Sequence, residues 1–134
     1  LVLDIDESVV EFGHKEDILV INFWATWCAP CKKEMPSLNS LAENMEYDDV
    51  RIITVASGRN SKEAIDAFFS DNNLTNLNKF RDPKGKMAMS YGVTALPTTV
   101  VISSTGREIG RIIGDIDWNA ADIRTFFRKL ITTE

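Results

Sequence analysis

The sequence predicts an α/β sandwich whose first two firm strands run parallel, and three observations carry that prediction. Two apolar, β-branched runs, at 18–24 and 51–56, flank a stretch with helical periodicity, long enough to be a crossover between parallel strands. Strand and helix patterns then continue to alternate, and the chain closes on an amphipathic helix. The only two cysteines, Cys28 and Cys31, follow directly on the first run, which puts them at the carboxyl end of a central strand, where open sheets gather their chemistry.

Taken in order, residues before 18 are acidic and weakly patterned and read as an edge hairpin, with His14 on the surface. Ile18-Leu19-Val20-Ile21-Asn22-Phe23-Trp24 is a buried strand, rich in β-branched and aromatic residues. Behind the cysteines, Leu38, Leu41, Ala42 and Met45 recur at helical spacing, and the helix is expected to end near Glu46. The next strand is 51–56. Ser61 caps a second helix with Glu63 in its first turn and Ala64, Ile65, Ala67, Phe68 and Phe69 on its apolar face, and Asn72-Asn73 stops it. A polar stretch leads to the turn Asp82-Pro83-Lys84-Gly85 and a short helix over 87–91 closed by Gly92. Strands at 98–103 and 108–113 are joined by the hairpin signal Ser104-Thr105-Gly106-Arg107. Asp117 is expected to cap a last helix that turns Ile123, Phe126, Phe127, Leu130 and Ile131 inward.

Composition bounds the function. At 134 residues and 44% hydrophobic content, one domain over 1–134 with one core is expected. Fifteen basic residues against twenty acidic ones, with the basic ones scattered, argue against a nucleic-acid partner. No apolar run is long enough to span a bilayer, and no leader pattern of basic residues before an apolar core is present. Because the chain begins at Leu1, that last observation carries no conclusion about targeting.

The cysteine spacing gives the two sulfurs different roles. Cys28 falls at a helix N-terminus, where free amides and the positive end of the dipole favour the thiolate that attacks disulfides. Cys31, one turn further in, is shielded yet near enough to resolve a mixed disulfide. Pro30 suits the first helical turn, where its missing amide hydrogen is not needed, and it stiffens the loop. With no histidine or cation between the sulfurs, nothing local depresses the Cys28 pKa strongly, which disfavours a strong oxidant. A purely structural disulfide closing so short a loop removes little chain entropy, and zinc would need two further ligands where His14 and carboxylates alone remain. A Cu(I)-binding or partner-binding module is the rival of another class.

The segment Phe23-Trp24-Ala25-Thr26-Trp27-Cys28-Ala29-Pro30-Cys31-Lys32-Lys33-Glu34-Met35-Pro36 resembles the active-site segment of the TlpA-like branch of the thioredoxin superfamily, which includes the ResA- and CcmG-type cytochrome c maturation reductases. Tyr91-Gly92-Val93-Thr94-Ala95-Leu96-Pro97-Thr98-Thr99 is similar to the segment that holds the superfamily's cis-proline, and residues 61–81 are similar to that branch's insertion. The resemblance implies a thioredoxin-like three-layer sandwich, with a mixed central sheet flanked by helices, a TlpA-type helix insertion and an N-terminal strand extension. It implies a reductant of protein disulfides at the periplasmic or extracytoplasmic face of the inner membrane. No cofactor beyond a redox-active Cys28/Cys31 disulfide is implied, and no metal. Expected partners are protein disulfide clients, such as apocytochromes c or copper-site assembly proteins, and a membrane thiol donor. A tether preceding Leu1 and a monomeric state are also expected. An oxidase or isomerase of the same fold is the nearer rival.

Further residues acquire roles through that similarity. Glu34, three residues after Cys31, joins Cys28 and Cys31 in the catalytic set, although sequence alone equally allows an exposed acid in a Lys-Lys-Glu turn. Near a thiol, its carboxylate would raise the thiol's pKa or relay its proton. Leu96-Pro97 is expected cis, so that the Leu96 backbone pairs with an extended substrate while Pro97 packs beside the sulfurs, and Trp27, Ala29, Pro30, Leu96 and Pro97 make up the expected substrate-binding set. Asn22 stands where cytosolic thioredoxins usually carry a buried aspartate; since an amide does not titrate, proton handling is expected to pass to Glu34. Trp24 is assigned to the core and Trp27 to a partly exposed contact surface. Pro36 leaves the Lys32 carbonyl without its helical donor and should kink the helix.

Overall fold

The computed structural model describes residues 2–3, 9–10, 18–44 and 50–133, and side chains within 18–44 and 50–129. Its elements in chain order are β1 (Val2–Leu3), β2 (Val9–Val10), β3 (Ile18–Trp24), α1 (Ala29–Glu43), β4 (Val50–Ser57), α2 (Lys62–Asp71), β5 (Phe80–Asp82), α3 (Lys86–Ser90), β6 (Thr98–Ile102), β7 (Glu108–Ile113) and α4 (Ala121–Thr133). His14 and Met45, the expected helix end at Glu46, and the side chains of Leu130 and Ile131 lie outside the described residues.

One mixed sheet runs in the order β2-β1-β5-β4-β3-β6-β7. β3 pairs parallel with β4 along its whole length and antiparallel with β6. It is therefore central, and every one of its residues is buried. Its period of two divides the core. Ile18, Val20 and Trp24 face the layer that holds Met35, Leu38 and Leu41 of α1, Ile65 and Phe69 of α2, and Phe127 of α4. Leu19, Ile21 and Phe23 face the opposite layer with Ile53, Val55 and Ala88 of α3. Asn22 falls on the α1 side of this alternation. The three layers match the expected thioredoxin-like sandwich.

Local chemistry explains where most elements start and stop. The Ser61 hydroxyl accepts the Ala64 amide at 3.0 Å and caps α2. At the other end of α2, Asn72 closes the helix and Asn73 takes φ 53°. α1 continues through Pro36 and ends at Asn44, whose backbone and side-chain N–H groups both reach the Ser40 carbonyl. The turn at 82–85 forms as expected, with Gly85 at φ 66°, a left-handed conformation that glycine adopts without a Cβ clash. The expected hairpin joins β6 and β7, and its turn closes between Ser103 and Arg107.

Three readings are corrected. The polar stretch before Asp82 ends in strand β5, which pairs parallel with β4 and, through Leu3↔Arg81, antiparallel with β1; three residues are too few to show a period. Asp117 does not cap α4: its carboxylate accepts the Asn119 amide at 2.9 Å in a local turn, and the helix starts at Ala121. Ala67 faces solvent, while Ile65 and Phe69 anchor α2, with Phe68 and Phe69 rings 5.5 and 5.8 Å from Trp24.

Candidate functional site

The turn after β3 sets the site. Cys28 occupies the N-cap of α1 in an extended conformation, its amide reaches back to the Ala25 carbonyl at 3.2 Å, and its carbonyl accepts the Lys32 amide at 3.1 Å. The Cys28 Sγ also accepts the Cys31 amide at 3.3 Å. This is the bond that would stabilise a thiolate once the pair is reduced, alongside the helix dipole. Ala29 and Pro30 occupy the first two helical positions and are exposed. Cys28 and Cys31 form a disulfide with Cα atoms 5.3 Å apart. Cys28 is 8% exposed and Cys31 not at all, so the sulfur at the helix cap is the one a partner reaches first.

Ahead of the cysteines, the β4–α2 loop holds the turn. Asn60 Oδ1 accepts from both the Thr26 amide, at 2.7 Å, and the Thr26 hydroxyl, at 2.9 Å. The Asn60 amide group donates to the Ser57 and Gly58 carbonyls, which fixes it in turn. Trp27 donates its indole N–H to the Arg59 carbonyl at 3.1 Å while 66% of its surface stays in solvent. Its exposure agrees with the sequence reading, as does the complete burial of Trp24.

Glu34, one turn beyond Cys31, is 3% exposed, so the exposed-acid reading is not what the fold adopts. Its Oε1 accepts from Asn22 Nδ2 at 2.7 Å, and its Oε2 accepts from the Ile116 amide at 3.2 Å and from Trp118 Nε1 at 3.1 Å. Burial pushes the Glu34 carboxyl above its ordinary value of 4.5; the three donors pull it down without cancelling that push, and the negative charge of Asp115 adds to it. Asn22 also donates to Thr99 Oγ1 at 3.0 Å, across the register that pairs it with Thr99, and its Oδ1 has no partner among the described residues. A buried polar chain thus links β6, β3, α1 and the segment between β7 and α4. Its members Thr99, Ile116 and Trp118 carried no role in the sequence reading.

The Leu96–Pro97 bond is cis. Pro97 is buried and Leu96 half-buried. Thr98, the next residue, pairs with Phe23 near the end of β3, so the cis bond lies at the sheet end from which the Cys28 turn departs. The Pro97 carbonyl is taken by the Gly114 amide at 2.8 Å. Among the described residues, no three His, Cys, Asp or Glu side chains gather into a group that would hold a metal ion.

A disulfide at the N-terminus of a helix, leaving the central strand of a thioredoxin-like sandwich and set at the same sheet end as a cis-proline, defines a structural class: thioredoxin-fold proteins with a helix-capping cysteine pair. The family model described as AhpC/TSA matches residues 5–107, and the chain belongs to that family. Its similarity to curated proteins lies with thiol-disulfide oxidoreductases, in agreement with the TlpA-like resemblance of the Cys28 segment. It is 33% identical over 124 residues to the thiol-disulfide oxidoreductase ResA of Bacillus thuringiensis subsp. konkukian, covering 86% of this chain and 66% of that protein. It is 32% identical over 99 residues to the thiol:disulfide interchange protein HelX of Rhodobacter capsulatus, covering 74% and 53%. The crystal structure of StoA from Bacillus subtilis superposes with a TM-score of 0.75 at 25% identity, covering 87% of this chain and 90% of that one. The chain spans between 53 and 66% of the length of the curated relatives named here.

Proposed function

We propose that this chain is a single-domain protein thiol-disulfide oxidoreductase that reduces disulfides of client proteins in the cell envelope. The observation that carries the reading is the asymmetry of the pair: Cys28 caps α1 and touches solvent, while Cys31 is wholly buried behind it. In the reduced protein, the Cys28 thiolate attacks one sulfur of a client disulfide, that S–S bond breaks, and the client's other sulfur leaves as a thiolate. Cys31 then gives up its proton and attacks Cys28 Sγ. The mixed disulfide breaks, the client's second thiolate departs, and the Cys28–Cys31 disulfide holds the two electrons' worth of oxidation. Glu34 accepts the Cys31 proton. A carboxyl whose pKa is pushed up by burial suits that step, because it binds a proton more readily than an exposed one.

Trp27, Ala29 and Pro30 form the exposed rim on which a client rests, and the Leu96 backbone beside cis-Pro97 offers the edge that an extended client segment pairs with. Resemblance supports apocytochromes c or copper-site assembly proteins as clients, and a membrane thiol donor for re-reduction. It also supports an extracytoplasmic location, a tether outside these residues and a monomer. No helix among the described residues is long and apolar enough to cross a membrane.

The test is trapping combined with a potential. Cys31→Ser should accumulate a mixed disulfide with a model client, and Cys28→Ser should not; equal trapping by both overturns the assignment of roles. An equilibrium potential for Cys28/Cys31 near or below about −230 mV fits a reductant, whereas one near about −120 mV would replace it with the oxidase reading.

A further inference from the structure

Trp118 sits in a short polar segment between β7 and α4 and is 1% exposed, the most buried residue of that connection. A buried indole N–H usually finds a hydrogen-bond acceptor, and here the acceptor is Glu34 Oε2 at 3.1 Å. The same oxygen takes the Ile116 amide at 3.2 Å. One turn along α1, the Trp118 backbone amide donates to Ser37 Oγ at 3.0 Å, and that hydroxyl donates to the Glu34 carbonyl at 2.9 Å. Residues 116–118 therefore grip α1 twice, more than 80 positions away in sequence, and one of the two grips closes on the carboxylate itself.

We propose that Trp118 is a positioning residue for the Cys28/Cys31 reaction: its indole N–H, with the Ile116 amide, fixes the orientation of the Glu34 carboxylate and sets how readily that carboxylate takes a proton. The inference rests on the reading of Glu34 as the proton acceptor for Cys31. The physical basis is simple. Donors aimed at a buried carboxylate stabilise its ionised form, and each one removed makes it hold a proton more tightly. The groups facing Glu34 leave Trp118 a clear share of that effect. From the sheet come Asn22 and, behind it, Thr99, both uncharged; from the connector comes the exposed Asp115, whose negative charge works against ionisation. On α1 itself, Lys32 and Lys33 are exposed.

The experiment follows the Glu34 carboxyl carbon by NMR as pH is varied, in the oxidised parent and in Trp118→Phe, with Ser37→Ala as companion. Ser37→Ala loosens the backbone grip but removes no donor from the carboxylate. Trp118→Phe should shift the Glu34 titration to higher pH, and Ser37→Ala should leave it in place. An unshifted titration in a folded Trp118→Phe overturns the proposal, and so does an equal shift in both variants, since general loosening would then be the cause. Should Trp118→Phe not fold, Trp118→Leu, which keeps an apolar side chain and has no donor, carries the same expectation. Client reduction measured over the same pH range separates the two readings. If the Glu34 titration moves and the rate profile does not, Trp118 tunes Glu34 without serving the reaction, and the positioning role falls together with the reading of Glu34 as proton acceptor.

Discussion

The helix that carries the Cys28–Cys31 pair is held on two sides by unlike materials. Ahead of Cys28, the loop at 57–60 grips Thr26 and Trp27 through neutral partners: an Asn60 side-chain oxygen and an Arg59 carbonyl, both near solvent. Beyond Cys31, the connector at 116–118 and Asn22 grip a buried carboxylate, with Ser37 as a second hold. Neutral hydrogen bonds contribute about 0.5–1.5 kcal/mol each, and those to charged groups about 1.5–3. The first grip holds the two residues ahead of Cys28 and so helps set where its sulfur sits. The second ties shape to charge, because the state of Glu34 decides how strongly its donors are held.

Deleting the charged grip should be the more damaging change. Glu34→Ala leaves the Trp118 indole N–H and the Ile116 amide without an acceptor and Asn22 with Thr99 alone, and a loss on the order of 3 kcal/mol is expected in denaturant unfolding, since an orphaned buried group costs about 1–3 kcal/mol and relief of the carboxylate's own desolvation offsets part of the sum. A loss under about 1 kcal/mol would mean the two grips are energetically alike. Asn60→Ala removes the Thr26 half of the neutral grip, and half-buried neutral bonds set the expectation at about 1–2 kcal/mol. Client exchange should slow in this variant while the titration of Glu34 stays put; a moved titration would show that the two sides communicate.

The smallest expected effect is a slope. Glu34 has a folded-state pKa above its ordinary value of 4.5, so the folded state binds the proton more tightly than the unfolded one. Its favourable contribution is fully present below that ordinary value and is lost as pH rises through the raised folded value. Unfolding free energies of the parent should therefore decline across that window relative to Glu34→Gln, in which position 34 does not titrate. A parallel pair of curves would place the folded pKa at its ordinary value.

The neutral side of the site was largely legible in the sequence and the charged side only at one end. The run from Ile18 to Trp24, the cysteine spacing, Pro30 and the Ser61 cap are local signals, and each produced the element expected of it. Asn22 and Glu34 were both singled out, one as a missing acid and the other as its replacement, but nothing in their spacing says that they touch at 2.7 Å. Trp118 stands alone between Asp117 and Asn119; a lone large aromatic in polar sequence signals burial, and its acceptor emerges only when the connector folds back on α1. β5 was missed for the same reason: its three residues become a strand through pairing with β4 and β1. Asp117 misled because an acid before an apolar periodicity can satisfy its own neighbours in a turn as well as a helix end.

Asn22 has a last consequence for how the protein titrates. Two carboxylates sharing one buried network would give up their protons in coupled steps belonging to the pair. With an amide at position 22, the network of Thr99, Asn22, Glu34 and Trp118 holds one ionisable member, and while the cysteines are joined neither of them ionises. The oxidised protein should thus follow a one-proton curve at Glu34. Any broadening or splitting of that curve on reduction is then a direct reading of the interaction energy between carboxylate and thiols, with the disulfide form as its built-in blank.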